Sequence, residues 1–182
     1  FALTGSSSNW TAPGGVTSGN SCTPFTEPEI DVEGNNVSIA DGDTTPDTSD
    51  DTDYGNVGTS GNHVHTFTIE NDGGSALTIN DITVSGTNMN DFVVGGITLP
   101  ATVNMNSSTT FTLTFTPTAA GSHTATVEID NDDCNEAPYD FAVQGTGIVD
   151  NSTAMVFDGD DDVVHAYPVD VSNSSFSVEC WA

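Results

Sequence analysis

The residues with the clearest chemical potential form an acidic segment between positions 41 and 53. It contains six aspartates, spaced by Gly, Thr, Ser and Pro: Asp41, Asp43, Asp47, Asp50, Asp51 and Asp53. Calcium takes six to eight hard oxygen ligands, and aspartates clustered on a loop can supply them. The segment is not an EF-hand loop, because Pro46 stands where that loop requires glycine. Two interpretations stay open: a calcium site, calcium being the only cofactor that the sequence suggests, or a solvated loop whose Asp and Thr side chains form turns.

A pair of histidines forms a second candidate metal site. His63 and His65 are two residues apart on a predicted strand, so their side chains point to the same side and could share a metal ion. No third ligand can be named from the sequence. The alternative is that both histidines lie at the rim of the core face that continues into Phe67 and Ile69.

The chain has three cysteines, an odd number, which suggests that at least one is free or has a partner elsewhere. Cys22 lies just before the first predicted strand and Cys134 in the turn before the last, and such places can be neighbours in a sandwich. We therefore predict a Cys22–Cys134 disulfide, which an extracellular setting permits.

The sequence gives little support for catalysis. It has no G-x-S-x-G nucleophile elbow, and Cys134 is flanked by Asp133 and Glu136, whose charges would raise rather than lower a thiol pKa. Paired carboxylates occur throughout so acidic a chain, so their presence does not identify a hydrolase. We expect no catalytic residues and a protein that is not an enzyme.

The charge composition excludes several classes of partner. Among 182 residues there is no Lys and no Arg, against 27 Asp and Glu, which gives a net charge of −27. Such a chain cannot neutralise phosphates, so we expect no nucleic-acid partner and no anionic membrane surface. No apolar run approaches the roughly 18 residues that a membrane helix needs, so we expect no membrane insertion. Self-repulsion favours a salty or cation-rich setting outside the cell.

The elements that must carry these residues are β-strands. From Glu29 to Gly147 apolar residues alternate with polar ones, as in Phe111, Leu113 and Phe115, and Gly, Asn, Asp and Pro clusters separate the segments. Seven or eight short strands with one apolar face each predict an all-β, two-sheet antiparallel sandwich. The alternation changes phase at Asn80-Asp81, which predicts a bulge.

Several motifs between residues 28 and 147 resemble the choice-of-anchor D repeat, one of the ASH-type Ig-like domains of bacterial secreted proteins. They include Pro28-Glu-Ile-Asp-Val-Glu-Gly34, Phe67-Thr-Ile-Glu-Asn71, Phe111-Thr-Leu-Thr-Phe-Thr-Pro117 and Tyr139-Asp-Phe-Ala-Val-Gln-Gly-Thr-Gly147. The resemblance implies an Ig-like sandwich used in tandem as a stalk or spacer.

The remaining segments predict the ends of other modules. Residues 1–28 are rich in Gly, Ser, Thr and Pro and are expected to be a linker or the end of a preceding module. Residues 148–182 are similar to the first strands of a LamG-like, concanavalin A-like jelly roll, through Phe157-Asp-Gly-Asp-Asp-Asp-Val-Val164 and Phe176-Ser-Val-Glu-Cys-Trp-Ala182. We therefore expect the truncated start of a jelly roll after the Ig-like domain of residues 29–147.

These features predict a non-enzymatic spacer of a large bacterial cell-surface adhesin or extracellular filament, which calcium could stiffen. Its expected partners are other domains or copies of the same surface protein. Two alternatives stay open. The chain could belong to the carbohydrate-binding accessory region of a secreted glycan-active enzyme, or it could be secreted cargo bound to an export or assembly machine.

Overall fold

The structure, a computed structural model, describes residues 26–149 and is an all-β sandwich over that range, as the alternation predicts. Its ten strands are β1 (Ile30–Gly34), β2 (Val37–Ile39), β3 (Asp53–Gly58), β4 (His63–Asn71), β5 (Leu77–Ser85), β6 (Phe92–Gly95), β7 (Ala101–Val103), β8 (Ser107–Phe115), β9 (Gly121–Asn131) and β10 (Tyr139–Ile148). A 3₁₀ turn, Met89–Asp91, lies between β5 and β6.

Two five-stranded sheets face each other. Sheet A has the order β2-β1-β4-β8-β6, and sheet B has the order β3-β10-β9-β5-β7. Every strand pair is antiparallel except β3 with β10, which is parallel. The edge strands are short, which limits the unpaired backbone that another chain could use for pairing.

The interior is built by the inward residues of both sheets. Inward and outward positions alternate along β8, where Phe111, Leu113 and Phe115 are buried while Thr112 and Thr114 face outward. The largest fully buried side chains are Phe67, Phe111, Phe115, Phe141, Ile39, Ile69, Leu77, Ile79, Leu113, Ile129, Val32 and Val127. Each such side chain contributes about 1.5–3 kcal/mol to folding, so the core, not the loops, holds the two sheets together.

The strand count differs from the seven or eight that the alternation predicts. The missed strands, β3, β6 and β7, have six, four and three residues and carry only one or two buried apolar side chains each. So short a pattern is not distinguishable from a loop. The predicted bulge is confirmed, because the register between β5 and β9 shifts between Ile79 and Asp81.

The chain enters and leaves this domain at opposite ends of the sandwich. At the entry end, Ile30 pairs with Asn71 and its N–H donates to Asp133 just beyond β9 (2.9 Å). At the exit end, the C-terminus of β10 at Ile148 pairs with Gly58, and Gly147 pairs with Gly121 at the start of β9. Since β9 runs between the two ends, they lie about 30 Å apart.

The chain divides into two units, Phe1–Asp150 and Asn151–Ala182, and the described residues belong to the first. The predicted jelly-roll start at 148–182 and the predicted linker at 1–28 lie almost entirely outside the described residues. Over residues 26–149 the chain forms no helix with the length and hydrophobicity needed to span a membrane.

Candidate functional site

Four of the six aspartates in the predicted calcium segment close local turns. Asp43, Asp47, Asp50 and Asp53 each accept a hydrogen bond, 2.7–3.0 Å long, from the backbone N–H two residues later. This is the geometry of an Asx turn, in which the side chain takes the place of a backbone acceptor. Asp47 accepts hydrogen bonds from both the backbone N–H and the side chain of Ser49, and these bonds lower the pKa of its carboxyl group. The turn-forming interpretation of the segment therefore accounts for these four side chains.

The other oxygens of the segment do not converge on one point. Asp41 accepts from the N–H of Asp140 (2.9 Å), and the second oxygen of Asp53 accepts from the amide of Gln144 (2.8 Å). Within residues 26–149, no three His, Cys, Asp or Glu side chains are grouped so that they could hold a metal ion. Calcium binding stays a prediction for this segment, and a melting temperature that EDTA leaves unchanged at moderate salt would contradict it.

The two histidines on β4 are neighbours, as their spacing predicts. The ring centroids of His63 and His65 lie 4.5 Å apart, and the His65 ring stacks on Tyr54 at 4.2 Å. His65 also contacts the carbonyl oxygen of Asp51 through Nδ1 (2.6 Å). Burial, and next the charge of Asp51, raise the pKa of Tyr54, whose hydroxyl donates to the carbonyl of Leu113. The pair thus sits on the aromatic edge of the core, the second of the two interpretations.

A fully buried asparagine, which the sequence analysis did not single out, organises the entry end. Asn71 accepts hydrogen bonds from the N–H groups of Glu29 (3.3 Å) and Gly73 (3.0 Å). Its amide donates to the carbonyls of Ser75 (2.8 Å) and Val103 (2.9 Å). One side chain therefore joins the residue just before β1, the β4–β5 turn and β7. One feature of the sequence could have identified Asn71: it continues the inward-facing series of Phe67 and Ile69, where a polar residue is exceptional.

Asn131 and Asp133 likewise hold the loop between β9 and β10 in place through hydrogen bonds to backbone groups. The N–H of Asp133 donates to Asn131, whose amide donates to the carbonyls of Ile129 and Glu136. The Asp133 carboxylate accepts from the N–H of Ile30, at the start of β1. Both side chains are buried, so these hydrogen bonds are formed away from competing water.

An open groove of about 560 Å³ lies beside this network. Its lining includes five carboxylate residues, Glu29, Asp31, Asp41, Asp72 and Glu136. Burial, followed by the charge of Asp133, raises the pKa of Glu136 to about 7. One carboxyl oxygen of Glu136 is buried without a hydrogen-bond partner. The groove is therefore a place where the fold carries unrelieved electrostatic cost.

A second groove, of about 360 Å³, crosses the outer face of sheet B and has the opposite character. It is lined by Thr, Ala, Gln, Gly, Pro and Val side chains and contains no ionisable group. The first groove thus holds carboxylates that the second groove lacks, and in the first groove the Ser38 hydroxyl donates to the Asp31 carboxylate (2.7 Å).

Cys134 is exposed at the entry end and is disulfide-bonded. It follows Asp133 directly, close to the start of β1. The predicted partner Cys22 lies outside the described residues, so the Cys22–Cys134 pairing stays a prediction.

Comparison with known families gives one match. The family described as "HYDIN/CFA65/VesB-like, Ig-like domain" matches residues 47–146, which is more than half of the chain. No curated protein shows significant sequence similarity to this chain.

Comparison with solved structures gives matches at low sequence identity. A protein of unknown function from Porphyromonas gingivalis W83 superposes with a TM-score of 0.50 and 12% identity, over 68% of this chain and 49% of that one. The ASH/PapD-like domain 7 of human CEP192 has a TM-score of 0.42 and 15% identity, over 78% and 99%. The VesB protease of Vibrio cholerae has a TM-score of 0.41 and 13% identity, over 66% and 31%. The present chain thus spans about half of the Porphyromonas protein.

Proposed function

Because the chain belongs to the HYDIN/CFA65/VesB-like family of Ig-like domains, we propose that it is a non-enzymatic structural module. Its role is to hold neighbouring domains apart within a larger extracellular surface protein. The observation that carries this proposal is the placement of the chain's entry and exit at opposite ends of the sandwich, marked by Ile30 and Ile148.

This placement supports a spacer role. A domain whose termini lie side by side adds nothing to the length of a tandem array, whereas this one adds about 30 Å per copy. Force along the array would also act parallel to β9 and β10 and load all of their hydrogen bonds together. The short edge strands oppose sideways pairing and so favour extension over lateral aggregation.

The use of the buried polar groups supports a role without chemistry. These side chains form hydrogen bonds with backbone groups of loops and strand ends, as in Asn71, Asn131 and Asp133. A catalytic side chain needs an atom free to face a substrate, and these side chains are committed to the fold instead. Asp50 and Thr52 likewise bond to each other and to the backbone of their own loop.

The disulfide at Cys134 supports an extracellular setting. Cys134 is disulfide-bonded, and disulfides persist mainly in oxidising compartments. The motifs between residues 28 and 147 resemble choice-of-anchor D repeats, which supports a tandem arrangement with further copies or other domains as partners. The LamG-like likeness of residues 148–182 adds an adhesive neighbour to this proposal.

An exchange of domains in the protein that carries this chain tests the proposal. Residues 26–149 are replaced by an unrelated Ig-like sandwich whose termini also lie at opposite ends, and in a second variant by a sandwich whose termini lie together. We expect the first exchange to keep the reach and surface display of the flanking domains, and the second to shorten the reach.

Loss of function in the first exchange, with the substituted domain folded, would contradict the spacer role. Glycan binding lost with the native domain would instead indicate a carbohydrate-binding accessory region. Failure of export alone would indicate that the domain is recognised by secretion machinery.

A further inference from the structure

The loop that joins β9 to β10 carries the disulfide at Cys134, and this loop lies beside the point where the chain enters the sandwich. Cys134 is exposed and disulfide-bonded. Its neighbour Asp133 accepts a hydrogen bond from the N–H of Ile30 (2.9 Å), and Asn135 lines the same groove as Glu29 and Ile30. The start of β1 and the disulfide therefore belong to one small region of the entry end.

Chain length favours Cys22 as the partner of Cys134. The other two cysteines, Cys22 and Cys180, both lie outside the described residues. Cys22 comes eight positions before Ile30, and eight residues span at most about 29 Å. Because Ile30 is hydrogen-bonded to the residue next to Cys134, Cys22 can reach Cys134 over a short stretch of chain. Cys180 instead follows Ile148, at the exit end, by 32 positions.

From Cys134 the chain runs directly to the exit through β10. Ile148 comes only 14 positions after Cys134, and β10 makes up ten of those residues. In sheet B, β10 lies between β3 and β9, and it pairs with β9 at nine positions. A strand is an extended chain, with a rise of about 3.3 Å per residue. Residues 134–148, the tether, are therefore almost fully stretched in the folded domain.

We propose that a Cys22–Cys134 disulfide makes the tether the covalent path of tension through the domain, an inference that rests on the proposed spacer role. A pull on the N-terminal side passes from Cys22 through the S–S bond to Cys134 and then along β10 to the exit. Strands β1 to β9 lie outside this path, because the two ends of the segment 22–134 meet at the disulfide.

The tether limits how far the oxidised domain can lengthen. Its residues reach at most about 50 Å, and the entry and exit already lie about 30 Å apart. Unfolding of the oxidised domain therefore adds at most about 20 Å to the array, against roughly 400 Å without the disulfide. The spacer keeps its length under tension even when the hydrogen bonds of the sandwich separate.

Reduction changes the path of tension. A dithiol such as dithiothreitol transfers two electrons and two protons to the S–S bond, which yields the thiols of Cys22 and Cys134, while the dithiol becomes a cyclic disulfide. Cys134 is exposed, so the reagent has access to the bond. The pull then enters the sandwich through β1, and residues 22–134 join the path.

Single-molecule stretching of the 182-residue chain, held at both termini through handles that use no cysteine, tests this inference. The fully stretched chain should be longer by roughly 400 Å in dithiothreitol than without it, because Cys134 comes 112 positions after Cys22. The measurement needs no variant, and the expected difference is the same whether or not the reduced domain stays folded. Equal lengths in the two conditions, or a difference below about 200 Å, would overturn the proposal.

Serine variants and peptide mapping identify the bond. Cys134→Ser should show the longer stretched length without dithiothreitol, whereas Cys180→Ser should behave like the wild type. Mass spectrometry gives the pairing after digestion with a protease that cuts at acidic residues, since the chain has no Lys or Arg for trypsin. We expect a peptide pair that joins Cys22 to Cys134, and a pair that joins Cys134 to Cys180 would overturn the proposal.

The spacer role and the tether can fail separately. Gradual lengthening of the reduced chain at low force would contradict the spacer role and would leave the difference in stretched length intact. Equal stretched lengths with and without dithiothreitol would overturn the tether, while the reduced chain could still unfold in one abrupt event.

Discussion

At the scale of single residues, the polar groups buried in this domain act as joints between strands. Asn71 is the clearest case, since it is 0% exposed and satisfies four backbone groups on three segments. Each of those groups would otherwise be left unpaired away from water, and a buried unpaired group costs about 1–3 kcal/mol. The role of Asn71 is therefore to close the entry end.

Replacement of Asn71 by Ala should destabilise the domain by about 3 kcal/mol or more, because several buried groups lose their partner at once. Urea unfolding of the full chain, monitored by far-UV circular dichroism, measures the change. Asn56→Ala is the matched control: Asn56 is exposed on β3, and its loss should change the stability by less than about 0.5 kcal/mol. Equal effects in the two variants would contradict the assigned role.

Unlike Asn71, the Glu136 side chain lowers the stability of the entry end when it is ionised. Burial raises its pKa from 4.5 to about 7, so the folded state holds a proton that the unfolded chain has already released between these values. The stability that this proton confers is complete below about pH 4.5 and is lost as the pH rises through about 7.

Replacement of Glu136 by Gln should therefore raise the stability at about pH 8 by about 1 kcal/mol, a value kept small because the side chain is partly exposed. At pH 4.5 the two proteins should be nearly equal. Glu27→Gln, at an exposed carboxylate of the same end, controls for the general reduction in charge. A gain of equal size in both variants would show that burial of Glu136 is not the cause.

At the scale of elements, β10 shows how closely the sheets approach. A Cβ atom on Gly145 would lie 2.4 Å from the Phe115 ring, and one on Gly147 would lie 2.0 Å from the carbonyl oxygen of Ala119. The Gly-Thr-Gly run at the end of β10 is thus required by the packing of sheet A and of the β8–β9 turn against it.

Gly145→Ala should cost about 2 kcal/mol, because the Phe115 ring must move within a filled core. The control is Gly61→Ala, where the nearest atom to the new Cβ would be 3.6 Å away. Thermal unfolding compares the two. A Gly145→Ala protein as stable as the control would mean that the aromatic cluster has room to rearrange.

Strand β9 carries an electrostatic cost on its outer face. Glu128 lies directly opposite Asp140, and Asp130 lies directly opposite Asp81. Like charges in such cross-strand positions are destabilising. With no Lys or Arg in the chain, only dissolved cations can offset the repulsion.

Glu128→Thr should raise the stability by about 0.5 kcal/mol at low ionic strength. The gain should disappear near 1 M NaCl, where charges are screened over about 3 Å. Glu33→Thr is the comparison: Glu33 lies directly opposite Ser38 and Thr68, and the carboxylate on which its charge acts, Glu70, is not directly opposite, so the gain should be smaller. If the gain in Glu128→Thr persisted at high salt, strand propensity and not charge would explain it.

Much of this sandwich could be predicted from the sequence, because its long strands have a strict period of two. The alternation along β4, β8 and β9 identified the core, and the phase change at Asn80 identified the bulge. The joints could not be identified in the same way. The hydrogen bonds of Asn71 join residues up to 42 positions apart, and that of Asp133 to Ile30 spans 103. Their partners depend on topology, which local patterns do not contain.

The acidic segment shows a second limit of the sequence. Six aspartates have the composition of a calcium loop and of a series of Asx turns alike. Only the positions of their oxygens separate the two, and those follow from the backbone of the folded loop. His123 is the converse case: it stands alone in the sequence, and its partner Asp91 is 32 residues away.

At the scale of the whole molecule, the proposed spacer role depends on the separation of the chain's entry from its exit. The chain enters beside Asn71 and Asp133 and leaves beside Gly58 and Gly121, so a pull on its two ends acts along the strands. A sandwich loaded in this way resists until many hydrogen bonds and the core fail together.

Single-molecule stretching of the 182-residue chain, held at both termini under reducing conditions, tests this claim most directly. Reduction prevents the disulfide at Cys134 from shielding part of the chain. We predict one abrupt unfolding event that releases roughly 400 Å of chain, the extended length of residues 30–148 less the folded span of the domain. Gradual lengthening at low force, with no single event of that size, would contradict a spacer that withstands tension.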